Sequence, residues 1–132
     1  MHLRTLFVLL LCLLTGGGCG KAKSTDELIA DLKSGQERDR IIAVRLLPQR
    51  TADAAKIVPV MIECLKDKHG DVRLSAAIGL GSFGEEANLA IPELRAAEND
   101  RDARVRRAAG IALSRIDPNL VPKSDPAKGR KK

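Results

Sequence analysis

Few residues in this chain have the type and spacing to do chemistry, and their surroundings narrow what each can do. GLGSFG, residues 79–84, matches the G-x-G-x-x-G of dinucleotide-binding turns, which cradles a pyrophosphate only where it follows a strand and opens a helix. Here it closes a helical pattern, and its counterparts 33 residues on are Ala112, Ser114 and Asp117. Close packing and a helix C-cap are therefore expected of it. His69 stands in a turn before Gly70 with no partner at a metal-ligand spacing, and reads as a solvated turn residue. Cys64, between Ile62 and Leu65, reads as a small core residue rather than a reactive thiol. The sequence offers no set of residues for catalysis, so no enzyme, cofactor or metal site is expected.

The elements that position these residues follow from an internal repeat. GDVRLSAAIGLGSF, residues 70–83, returns as ARVRRAAGIALSRI, residues 103–116, with Val72/Val105, Arg73/Arg106, Ala76/Ala109, Ile78/Ile111 and Leu80/Leu113 in register. The same 33-residue offset pairs Ala54 with Ala87, Pro59 with Pro92 and Asp67 with Asp100. Backwards, it pairs Ile62 with Ile29, Leu65 with Leu32, Arg73 with Arg40 and Leu80 with Leu47. Three copies, about 24–51, 52–84 and 85–117, cover the body, and a period of this length marks a solenoid whose units bury their apolar faces by stacking. Val72, Ala76, Gly79, Leu80 and Phe83 fall on one helical stripe, and Ile57, Val60, Met61, Cys64 and Leu65 on another before the turn at 66–71. Each copy is thus an antiparallel helical hairpin, and the fold class is all-α. Ser24 with Glu27 forms a capping box that starts the first helix near residue 25. Pro59 and Pro92 are placed early in their helices, where a missing N–H costs least.

The two ends carry different signals. LFVLLLCLL, residues 6–14, is an apolar run of signal-peptide length, too short to span a bilayer as a helix. TGGGCGK, residues 15–21, resembles the lipobox of bacterial lipoproteins, with Gly18 before Cys19 and Gly16 where that family usually has Leu. The resemblance implies a leader over 1–18, a lipid-bearing Cys19, a linker over 19–23 and a membrane-anchored place in the cell envelope. Ordinary cleavage after Gly18 or Ala22, giving a soluble periplasmic or secreted protein, and an uncleaved anchor are the alternatives. Residues 118–132 hold five Lys/Arg against one Asp and read as a disordered basic tail. Most of the net charge of +6 therefore belongs to the tail, which carries +4, while residues 19–117 carry 17 basic and 16 acidic side chains, or +1. With two Phe, no Tyr and no Trp there is no aromatic platform for stacking bases, and no nucleic-acid partner is expected.

Pro59 to Leu65, Asp67, Val72-Arg73, Ala76 and Leu80, together with the third copy, resemble HEAT repeats of the short bacterial type named after phycobilisome lyases. The resemblance implies a three-unit α-solenoid and a binding rather than catalytic role. It also implies that Arg40, Arg73 and Arg106 form a ladder with Asp67 and Asp100 that ties unit to unit. Glu98 at the position of Leu65, and Asp39 at that of Val72, make the first and third units atypical, as end caps often are. Second helices of such solenoids line the concave surface. Ile41, Val44, Leu74, Ile78 and Ile111, edged by Arg45 and Arg107, are therefore expected to form an apolar protein-binding strip for an unidentified partner. An accessory subunit of a chromophore-modifying lyase, and an envelope protein held by its basic tail, are the competing readings.

Overall fold

The computed structural model describes residues 22–120. The leader at 1–18, Cys19 and most of the tail lie outside them. Within them the chain forms six α-helices and four 3₁₀ segments, with no strand. The hairpins are α1 (Thr25–Leu32) with α2 (Glu37–Leu46), α3 (Ala54–Cys64) with α4 (Gly70–Ser82), and α5 (Ile91–Ala97) with α6 (Ala103–Ile116). The second helices lie side by side, α2 on α4 and α4 on α6.

Helix α1 begins at the capping box: the Ser24 hydroxyl accepts from the Glu27 N–H at 3.2 Å, and the Glu27 carboxylate accepts from the Ser24 N–H at 2.6 Å. At the end of α4, Gly84 adopts φ +55, the left-handed turn that a side chain resists. The other two glycines of GLGSFG are spacers. A Cβ on Gly79 would meet Pro48 Cγ at 2.6 Å and the Met61 methyl group, and one on Gly81 would meet Ala112 Cα at 3.0 Å. They let α4 approach its neighbours closely.

Two expected boundaries differ. Pro59 lies in the middle of α3, because the helix starts at Ala54, while Pro92 stands in the first turn of α5. Pro59 is exposed, so water can take the Ala55 carbonyl that it leaves without a donor. In the third copy the matching stretch, Gly84–Ala90, is 3₁₀ with a kink at Ala87. The tail does not begin at 118: Pro118–Leu120 form a 3₁₀ turn on α6, and the Leu120 carbonyl accepts from Arg95 Nη2 at 3.0 Å.

The core is one cluster of Leu, Ile, Val and Ala running through all three units. Val72, Leu80, Leu94 and Val105 are completely buried. Cys64 is part of this core, and burial, with lesser help from Asp67 and Glu63, pushes its thiol up to about 11.

Two buried ion pairs join the units. Arg40 Nε lies 2.8 Å from Asp67 Oδ2, with 8% and 13% of the side chains exposed. Arg73 meets Asp100 through two nitrogens at 2.8 and 2.9 Å, with 6% and 11% exposed. Each arginine turns its remaining Nη1 onto carbonyls of its own hairpin turn, Ser34 for Arg40 and Asp67 for Arg73. Each aspartate also accepts an N–H two residues on, from His69 or Asp102. Arg106 bonds the Asp100 and Arg101 carbonyls in the same way but meets no carboxylate among the described residues. At the other end Ser34 occupies the aspartate position and keeps the turn bond, accepting from the Gln36 N–H at 3.2 Å.

These contacts set the acid response. Hydrogen bonds from Arg73 hold Asp100 below its ordinary 3.8 against the opposing effect of desolvation. Desolvation is the largest effect on Asp67 and would raise it, but the His69 N–H and Arg40 together bring it below 3.8. A carboxylate depressed in the folded state adds stability above its unfolded value and loses it as pH falls through the folded one. The urea midpoint is therefore expected to fall below about pH 4, and to fall less in Asp100→Asn. Arg73→Ala should cost about 3 kcal/mol by leaving Asp100 buried and unpaired, and Arg106→Ala much less. Equal losses in the two variants would show that the inter-unit pair adds nothing. Val72→Asp places an unpartnered charge in the core, at several kcal/mol against a total of ~5 to 10, and should unfold the chain. Cys64, protected from maleimide in the wild type, should then react; continued protection would show that the stripe tolerates the charge.

Candidate functional site

The face formed by α2, α4 and α6 divides the expected strip into floor and walls. Ile78 and Ile111 are 52% and 48% exposed. Leu74 and Ile41 are only half-buried and pack against the core. Val44 is a correction, since it is completely buried. α2 is wedged among α1, α4 and the 3₁₀ turn Leu47–Gln49. The apolar arc of a helix enclosed on several sides is wider than one stripe, and it takes in Val44. Arg107 is exposed on α6, and Arg45 reaches towards Ser75 Oγ at 3.5 Å.

An apolar concavity lies between α4 and α6. It has a volume of about 300 Å³, a floor of Leu74, Ala77 and Ala108, walls of Ile78 and Ile111, and a rim of Arg104, Arg107 and Arg115. Gly81 and Ala112 bring the two helices together at one end of it. No acidic side chain lines it. Ile78 is also the ridge between this groove and a second, of about 340 Å³, bordered by Val44, Arg45, Pro48 and Leu74. Such a surface holds apolar side chains and offers guanidinium groups at its edge. The lining of the groove between α4 and α6 includes no Ser, Cys, His, Asp or Glu, while Ser75 and Ser82 line the second groove.

A polar cleft of about 410 Å³ opens at the turns. His69 Nδ1 lies 2.9 Å from Glu37 Oε1, and Arg104 Nη2 lies 3.0 Å from Asp71 and 2.7 Å from Asp102. Arg104 holds the Asp102 carboxyl down at about 2. Four of the cleft's charged side chains besides His69 are thus paired within it (Glu37 with His69, and Asp71 and Asp102 with Arg104), and no three His, Cys, Asp or Glu come together as a metal-binding group among the described residues.

Sequence reasoning missed three exposed apolar side chains. Ile42 and Leu46, 43% and 40% exposed, stand where later copies have Ser75 or Ala108 and Gly79 or Ala112. Gly79 and Ala112 abut the preceding unit, and the first unit has none before it among the described residues, so Leu46 is left uncovered. The change from small to large residues at that repeat position was the available signal. Leu89, 74% exposed, lies in the 3₁₀ stretch after α4, where the helical period gives no guidance.

A family model described as HEAT repeats matches residues 25–114. The uncharacterized protein SkfG of Bacillus subtilis (strain 168) is 29% identical over 97 residues. The alignment covers 74% of this chain and 56% of that protein, so the chain spans little more than half the length of this relative. With stacked helical hairpins across the matched region, the chain belongs to the HEAT-repeat family.

Proposed function

We propose that this chain is an exported, lipid-anchored scaffold that binds another protein and carries out no reaction of its own. The observation that carries the binding role is the pair Ile78 and Ile111, about half exposed on adjacent helices over an apolar floor. Exposed apolar side chains grouped around a groove are what a partner buries at the centre of an interface. The polar groups nearby serve the architecture: arginines and aspartates join the turns, and the Cys64 thiol is held well above the range in which it ionises. Export and anchoring rest on the apolar run at 6–14 and on Gly18-Cys19. No helix among the described residues is long and apolar enough to cross a membrane. A lipid on Cys19 would hold the domain there, each acyl methylene contributing roughly 0.8 kcal/mol.

Two experiments test the two halves. The intact mass of the mature protein should correspond to a chain beginning at Cys19 with acyl groups attached; an unmodified Cys19 or another N-terminus would remove the anchor. For binding, the half-buried position of Leu74 makes it unsuitable as a surface probe, and the informative variant is Ile78→Asp with Ile111→Asp. This double variant should keep wild-type circular dichroism and melt close to the wild type, since exposed substitutions usually stay within about 0.5 kcal/mol. It should lose the proteins that the wild type captures from an envelope extract. Unchanged capture by a folded double variant would place the binding surface elsewhere.

A further inference from the structure

The groove between α4 and α6 has a charge pattern that its apolar floor does not require. Arg107, Ile111 and Arg115 follow one another at four-residue spacing on α6, so an isoleucine stands midway between two arginines on one flank. At 1.5 Å per residue the two arginines lie about 12 Å apart along the axis. Neither makes an ion pair among the described residues, whereas the third rim arginine, Arg104, is already shared by Asp71 and Asp102. Resting on the interaction reading above, we infer that this groove recognises an amphipathic helical segment of a partner protein. Its apolar residues sit on Ile78, Leu74 and Ala108, and its Asp or Glu side chains, about two turns apart, meet Arg107 and Arg115.

The chemistry favours this occupant over the others available. Residues 118–132 hold five Lys/Arg against one Asp, so the chain's own tail is repelled by the rim. A nucleic acid would satisfy the arginines but set its sugar and base edges on an aliphatic floor with no aromatic side chain among the lining residues. A lipid acyl chain would lie in a half-open channel of about 300 Å³ with one side still in water. A helix laid along α4 and α6 covers the isoleucines and presents carboxylates in a geometry that guanidinium groups bind bidentately.

The test uses the mature full chain and two fluorescent helical peptides with the same leucine stripe. One carries Glu, and the other Lys, at two positions about two turns apart flanking the stripe. Anisotropy titrations should show the Glu peptide binding at least about tenfold tighter than the Lys peptide at low salt, with the difference shrinking as salt is raised. Arg107→Glu with Arg115→Glu should reverse the preference, with circular dichroism and melting unchanged. Equal binding of the two peptides, or a preference that survives the reversal, would overturn the assignment. So would two other results that depend on these arginines: binding to phosphatidylglycerol vesicles without the Glu peptide, pointing to a membrane surface, or concentration-dependent sedimentation, pointing to a second copy. Extract capture that depends on Ile78 and Ile111, combined with no peptide preference, would leave the scaffold reading standing and remove the acidic partner alone.

Discussion

A buried arginine joins each unit to the next, and the rest of the architecture depends on that bond. Apolar stacking drives the units together but does not fix their register, because Ala, Val and Leu surfaces slide past one another at modest cost. Arg73 offers Nε and Nη2 to Asp100 of the next unit and Nη1 to carbonyls of its own turn. That set of bonds is satisfied at one relative placement. Because both side chains are almost wholly buried, a shift that breaks the pair leaves charges without water or partner. Arg40 repeats the arrangement with Asp67 and Ser34. The angle between adjacent hairpins, and so the separation of α4 from α6, is set at the turns.

Small residues then make that angle usable. Gly81 meets the backbone of Ala112, and Gly79 admits Met61 and Pro48, so the second helices pack at backbone distance near one end. Towards the turns Leu74, Ala77 and Ala108 leave room between the same helices. The groove is therefore a product of the packing: the close approach of Gly81 to Ala112 closes it at one end, and small Ala77 and Ala108 side chains leave its floor open between Ile78 and Ile111. Nothing in it needs a separate loop or lid.

Most of this framework was legible in the sequence because its signals are local or strictly periodic. Ser24 and Glu27 announce a helix start by hydrogen bonds spanning three residues, and the 33-residue register places each helix against its counterpart. What could not be read was context at the ends of the array and between neighbours. Val44 and Ile78 look alike as apolar residues off the main stripe, yet one is enclosed by α1, α4 and a 3₁₀ turn while the other faces solvent. Pro59 and Pro92 occupy the same repeat position, yet one is inside a helix and the other at its start, because the residues before them fold differently. Leu46 became exposed because no unit stacks on it among the described residues.

The ladder also explains how a body of nearly neutral charge comes to have a positive groove. Asp67 and Asp100 are committed to Arg40 and Arg73, and Asp71 and Asp102 both lie against Arg104. The acids of the turns are thus used within the turns. Glu85 and Glu86, which make no ion pair among the described residues, sit apart on the 3₁₀ stretch after α4. Arg107 and Arg115 are left facing the groove with no acid among its lining residues. Such a separation of charge is nearly invisible beyond a Debye length of about 8 to 10 Å, where the opposite signs cancel or are screened. It acts at contact, where two guanidinium groups bracketing an isoleucine favour one spacing of carboxylates. Discrimination between partners must therefore arise in the docked complex, through how long it lasts, rather than through steering of the approach.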